Sequence, residues 1–324
     1  MKHTELGSTG IVVPRICIGC MAFGEVFDDR PWVIDQESTN KIIQKSLDLG
    51  LNFFDTANTY SHGTSEVFLG NALRTFGVKR EDVFIATKVY FNEGHLSKDA
   101  ILREIDGSLE RLGTDYVDLY QIHRFDYDTP IEETMETLDS LIKAGKVRAI
   151  GASAMYGYQF HKMQMIADNH GWHRFETMQN HYNLMYREDE RELIPICKEY
   201  GVSLIPYSPL AAGHLARREW ESDSIRFKTD TIAKNKYDHA KENDMEIIER
   251  VYQLSEKYGH KMSEIALAWL LHKGAASPII GPTKEKYLED AVNAMEVELT
   301  EEDMNYLEEP YLAHEVVGAL PQTK

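Results

Sequence analysis

Ile16-Cys17-Ile18-Gly19-Cys20-Met21-Ala22-Phe23-Gly24 is the stretch that separates two ways of building an α/β protein. An open doubly wound sheet that binds a dinucleotide needs G-x-G-x-x-G directly after its first strand, so that the backbone can approach a pyrophosphate. The glycines here stand at 19 and 24, which is the wrong spacing. Outward from this run, which begins near Arg15, further apolar runs begin near Leu51, Val83, Tyr116, Val147, Glu176 and Ser203. They are roughly thirty residues apart with helical periodicity between them, the length of a βαβ unit. With Ser277–Ile280 as a last short strand the chain holds eight β/α units, and eight close a cylinder. The predicted architecture is an α/β fold, a (β/α)8 TIM barrel forming one domain over residues 1–324, with a short N-terminal β-hairpin and a C-terminal helix and tail.

Helix ends are legible between the strands. Asp35 caps a helix that turns Ile42, Ile43 and Leu47 to the sheet and stops at Gly50, and Ser97 opens one with the stripe Ile101, Ile105, Leu109 and Leu112, closed by Gly113. Thr129-Pro130-Ile131-Glu132 reads as a cap, a proline at the first helical position and a glutamate three residues after the cap. Ser208 to Asp244 reads as polar and irregular, and a helix is expected from Thr283 onward.

Acidic residues number 53 against 35 basic ones, a formal charge of −18, which repels phosphate backbones and anionic membranes. No nucleic acid or membrane partner is expected. No run of about 18 apolar residues occurs, and the N-terminus has no basic region leading into an apolar one. The three cysteines, at 17, 20 and 197, are an odd number and point to a reducing compartment, so the expected location is cytoplasmic. Cys17-x-x-Cys20 lies along a strand, and the 13 histidines form neither H-x-H nor H-E-x-x-H, so no metal is expected.

In a barrel, chemistry gathers where strands end. The polar residues that finish the apolar runs are Asp55, Lys88, His123, Ser153, Gln179 and Tyr207. Alone, an Asp or Lys there is a solvated residue or half of an ion pair, His123 is a structural histidine, and Tyr60 is a loop aromatic. Together they make a metal-free proton relay. A free phenol has a pKa of about 10, a neighbouring ammonium favours the phenolate and lowers it, and a carboxylate keeps that ammonium charged.

Asp55-Thr56-Ala57-Asn58-Thr59-Tyr60, followed by Gly63 and Ser65-Glu66, resembles the D-T-A-x-x-Y-G-x-S-E signature of aldo-keto reductases. Lys88 in Ala86-Thr87-Lys88, His123 in Gln121-Ile122-His123, Gly145–Ser153 and Tyr207–Ala211 match in the same order. The similarity is greatest to bacterial-type members that begin L-G-x-T-G and carry G-C-M-x-F-G after the first strand. The resemblance implies an NADP-dependent reductase with the tetrad Asp55, Tyr60, Lys88 and His123, in which Tyr60 is the general acid and His123 orients a small-molecule carbonyl substrate.

For the cofactor NADPH/NADP+ it implies Ser153 and Gln179 on the carboxamide with Asn180 close by, and Tyr207 stacked on the nicotinamide. Gly19, Cys20 and Met21 would lie beside the cofactor, with Ser208, Pro209, Leu210, Ala211 and Gly213 around the pyrophosphate. Ile280, Gly281, Thr283, Lys284, Tyr287 and Asp290 would take the adenosine 2′-phosphate and adenine, with Lys286 and Arg226 adding charge. Tyr287 replaces a frequent arginine or glutamine, and Ala291 and Ala154 each replace a frequent asparagine. Two other functions fit less of the sequence: a cofactor-sensing regulatory subunit of the same fold, and a barrel hydrolase or isomerase without nucleotide. The loops Glu25–Gln36, Tyr90–Leu96, Phe125–Asp128 and Ser208–Asp244 and the tail after Tyr311 are expected to choose the substrate, their aromatics Phe27, Trp32, Tyr90, Phe125 and Tyr127 favouring aldehydes or small ketones.

Overall fold

Period-two alternation along short strands dictates the architecture. In a computed structural model of the protein, which describes residues 1–27 and 30–320, β1 (His3–Glu5) and β2 (Val12–Pro14) pair as an antiparallel hairpin. Eight parallel strands follow: β3 (Cys17–Gly19), β4 (Phe53–Asp55), β5 (Phe84–Val89), β6 (Val117–Ile122), β7 (Val147–Ser153), β8 (Phe175–Gln179), β9 (Ser203–Leu204) and β10 (Ile279–Ile280). Each of β4 to β9 lies beside its predecessor, and β10 lies beside β3. The Ala276 N–H donates to the Leu204 carbonyl (2.8 Å) and the Ile279 N–H to that of Pro206 (2.9 Å), which joins β9 to β10 and closes the cylinder.

Alternation also grades the interior. Leu6, Ile11 and Val13 of the hairpin region pack on Phe53, Ala86, Leu119, Ala149 and Ile205, which plugs the end where the strands begin. Two residues further along the same strands stand Asp55, Lys88, Gln121, Gly151 and Tyr207. Within one period the inward side chains change from apolar at the sealed end to polar at the open rim.

Several helix ends depart from the sequence reading. Asp35 caps Gln36–Asp48 as expected, accepting from the Ser38 N–H at 2.8 Å. Ser97 precedes Lys98–Leu112 without a side-chain cap bond. Pro130 is itself the cap of Ile131–Lys143, because the Thr129 hydroxyl donates instead to Asp126 (2.7 Å). Ser208–Asp244 is not irregular throughout: helices cover Ile225–Thr229 and Thr231–Tyr237, and the next begins at Lys241. The helix expected from Thr283 starts at Lys286. Asp28 and Asp29 of the Glu25–Gln36 loop and the last four residues of the tail lie outside the described residues. Among the described residues no helix is long and apolar enough to cross a membrane.

At the sealed end, the buried Asp118 accepts from Arg80 (2.6 Å), Arg148 (2.8 Å) and the Ile85 N–H (2.9 Å). Asp118→Ala strips an acceptor from all three and is expected to lower the unfolding free energy by about 3 kcal/mol. Urea denaturation checks this; an unchanged midpoint would show that the two arginines find other partners at no cost.

Candidate active site

β4 delivers Asp55 to the rim, β5 delivers Lys88, and the 3-10 turn Tyr60–Gly63 brings Tyr60 back over them. Lys88 is fully buried. Its ammonium donates to Asp55 Oδ1 (2.5 Å), the Thr56 carbonyl (2.7 Å) and the Tyr60 hydroxyl oxygen (3.3 Å). An ammonium has three donors and no acceptor, so all three are used. Because the phenol oxygen accepts from Lys88, the phenol's own hydrogen is left for another partner. The His123 ring stands edge-on to Tyr60, centroids 5.8 Å apart, with Phe91 edge-on to His123 at 5.0 Å.

Asp55 Oδ2 is held separately, accepting from the side-chain amides of Gln121 (2.9 Å) and Gln179 (2.8 Å). Gln121 is a site residue that the sequence reading quoted without assigning a role. It follows from alternation, standing two residues before His123 on the inward face.

The electrostatics correct one expectation. Burial pushes the half-buried Tyr60 phenol above its ordinary value; the Lys88 ammonium pulls it down and Asp55 pushes it up again, so the net direction is upward rather than the expected lowering. Burial also pulls Lys88 down, but Asp55 and Tyr60 outweigh it and the ammonium is retained. Burial, with Lys88 and Arg124 adding, holds His123 well below the imidazole range, so the ring is neutral.

The remaining signature residues build the loop that carries Tyr60. The Thr56 and Ser65 hydroxyls are 2.9 Å apart, and Ser65 donates to the Cys20 carbonyl (2.7 Å). The buried Glu66 accepts from Thr87 (2.5 Å) and Arg111 (2.7 Å), which ties the following helix to β5 beside Lys88. Non-glycine residues with positive φ are Ser61, His62, His95, Ala154, Ser208, Ala211 and Ala212 among the described residues. All of them follow the C-terminal ends of strands, where strain of this kind marks functional rims.

On the cofactor side the expected residues divide. Ser153 donates to the Gln179 carbonyl (2.8 Å), and Asn180 donates to Asp189 (3.0 Å) while its Oδ1 is buried with no partner among the described residues. Burial pushes the Asp189 carboxyl up to about 7. Tyr207 stacks on His181 (5.1 Å, 8°), which stacks in turn on Tyr186 (4.1 Å, 16°). Ser208 (φ 54°), Ala211 (47°), Ala212 (55°) and Gly213 (97°) are left-handed, and turns of this kind gather N–H groups into anion cradles. Pro209 and Leu210 complete that turn.

Gly19 lies against β10, since a Cβ there would meet Ile279 Cγ2 at 2.7 Å. Cys20 packs in the core with Ile18 and Phe23, and Met21 is half-buried. At the far end Gly281, Lys284 and Tyr287 are exposed, Thr283 is half-buried and Ile280 is buried. Asp290 is buried and ion-paired with Lys261, and Arg226 pairs with Asp230 (3.1 Å) and lies over Trp32 (4.6 Å). The structure therefore does not add Asp290 or Arg226 to the open group at Lys284.

The Aldo/keto reductase family profile matches residues 15–311. This chain belongs to that family. It is 40% identical to the versiconal hemiacetal acetate reductase of Aspergillus parasiticus, over 96% of this chain and 97% of that one. Identity is also 40% to a Saccharomyces cerevisiae protein provisionally named an aryl-alcohol dehydrogenase, over 96% and 97% of the two chains. A crystal structure of a thermostable aldo-keto reductase in complex with the inhibitor epalrestat superposes with a TM-score of 0.77 at 29% identity, covering 96% of this chain and 100% of that one. The two sequence relatives are fungal, whereas the motifs read as bacterial-type.

In this aldo-keto reductase the tail after Tyr311 crosses the rim. The Tyr311 hydroxyl donates to Glu188 (2.7 Å), His314 pairs with Asp244 (3.0 Å), and the Val317 N–H donates to the Tyr186 hydroxyl (3.0 Å). A Cβ at Gly318 would come within 2.7 Å of the Tyr207 hydroxyl, and the Tyr127 hydroxyl donates to the Leu320 carbonyl (2.8 Å).

Proposed function

We propose that this aldo-keto reductase reduces an aldehyde or small ketone to the alcohol with NADPH, in the cytoplasm, Tyr60 acting as general acid. The observation that carries the reading is the third donor of Lys88, which points at the Tyr60 oxygen while Asp55 and Thr56 hold the other two. NADPH supplies hydride when bound. The residues fit such a cofactor: Asn180 Oδ1 has no partner among the described residues, the left-handed turn from Ser208 to Gly213 suits a pyrophosphate, and Tyr207 is backed by His181.

A neutral His123 ring donates to the carbonyl oxygen without adding charge. Tyr60 passes its proton to that oxygen, and Lys88 stabilises the phenolate left behind. Asp55 keeps Lys88 charged. Phe91 against His123 and Phe27 against His62 offer apolar surface to the substrate. Aryl aldehydes are the first class to assay, since one relative is provisionally named for aryl alcohols. Three buried, unpaired cysteines fit a reducing compartment.

Titration with NADPH and NADH, followed by tryptophan fluorescence, tests the nucleotide, and NADPH consumption with aryl aldehydes tests the reaction. Lys284→Ala is expected to raise the NADPH Kd roughly tenfold through loss of one charge-assisted contact and to leave that for NADH unchanged. Equal affinity of the wild type for both nucleotides would overturn the preference, and no saturable signal with either would sink the reductase reading.

A further inference from the structure

We propose that Gln121 is a positioning residue of this site: it holds Asp55, and through it Lys88, when Gln179 turns its amide toward the nicotinamide. The inference rests on the reading of Gln179 as a carboxamide ligand. Asp55 lies inside the cylinder, and its two oxygens have separate partners, Oδ1 the Lys88 ammonium (2.5 Å) and Oδ2 the two side-chain amides.

Gln179 is committed twice. Its amide nitrogen donates to Asp55 Oδ2 (2.8 Å) and to Gln121 Oε1 (3.2 Å). A side-chain amide has two N–H hydrogens, so neither remains for a ligand. A turn of that nitrogen toward a carboxamide carries both hydrogens away, and Asp55 then loses one of its two amide donors. A buried carboxylate oxygen abandoned by its only donor is strongly disfavoured, and Gln121 is the donor that stays.

The strand register supports this division of labour. Gln121 on β6 stands in register with Lys88 on β5 and with Gly151 on β7. A Cβ at 151 would lie 3.2 Å from Gln121 Cγ, 2.2 Å from Thr177 Oγ1 and 3.3 Å from Leu119 Cδ1. The glycine leaves space that the Gln121 stem occupies, and the stem is confined on a rigid strand. Gln179 is the last residue of β8.

The test is a pair of substitutions read by NADPH binding without turnover. Gln121→Met keeps the length of the side chain and removes the donor. In the otherwise unchanged protein it is expected to weaken NADPH binding about tenfold, the loss of one hydrogen bond to a charged group, because Gln179 can leave Asp55 only at the expense of an unpaired oxygen. In a Gln179→Met background Gln121 is the amide donor to Asp55 Oδ2 with and without the nucleotide, so its loss through Gln121→Met falls equally on both states and is expected to change Kd by less than about twofold. The kcat for carbonyl reduction is expected to fall with Gln121→Met while the carbonyl KM stays within about twofold.

Gln121→Asn, one methylene too short to reach Asp55, is expected to reproduce these effects and serves if the methionine variant does not fold. An equal factor in both backgrounds, or wild-type Kd and kcat with only a lowered Tm, overturns the inference and leaves the reductase reading standing. Absence of saturable NADPH binding by the wild type overturns both.

Discussion

Replacing Tyr60 with phenylalanine lowers kcat by about 10²-fold or more while NADPH binding stays within about twofold of wild type, the expected size of a lost general acid. The ring is retained, so its edge contact with His123 persists; only the hydroxyl that accepts from Lys88 is lost. Stopped-flow measurement of the hydride step with a saturating aldehyde reads the chemistry directly. The pH dependence sharpens the test. Burial holds the phenol above its ordinary value of about 10, so the acid form is present throughout the neutral range and reduction should decline only on the alkaline side, as the phenol ionises. That decline should be absent from the residual activity of Tyr60→Phe. Turnover close to wild type in the variant would remove Tyr60 from the mechanism.

The second large effect is expected from Lys88→Met, in stability as well as in rate. Lys88 and Asp55 form an ion pair fully enclosed in the cylinder. Removing the ammonium leaves Asp55 a buried carboxylate with amide donors only, a loss of about 3–5 kcal/mol for an uncompensated buried charge. Chemical denaturation reads that loss. Adding Asp55→Leu to Lys88→Met should restore most of the stability and none of the reductase activity, because the pair is then replaced by apolar side chains. A double variant no more stable than Lys88→Met would show that the pairing contributes little to the fold, whatever it does for catalysis.

Much of this site was legible before any coordinates. The four tetrad residues stand at the ends of apolar runs or in one short signature, and eight such runs close a barrel. The donors around Asp55 were less legible. Gln121 lies two residues before His123, so alternation alone places it inward, yet a glutamine on a strand carries no chemical flag. The direction of the Tyr60 shift was misread because the sequence displays the charge beside the phenol but not the burial that outweighs it. Glu188 illustrates the same limit. An acidic run, Glu188-Asp189-Glu190, reads as a solvated helix start, but Glu188 is buried and accepts from Tyr311 and the His314 N–H, anchoring the tail.

By itself the sequence determined the strand count, the order of the strands and which polar residues finish them, because alternation, capping and motif spacing act within a few residues of the chain. The tertiary structure alone decided which donor meets which acceptor. Gln121 and Gln179 stand 66 and 124 residues from the carboxylate they share, and their convergence depends on barrel closure and strand stagger. Burial, which sets the direction of the Tyr60 and His123 shifts, likewise exists only once the cylinder has closed and water has left its axis.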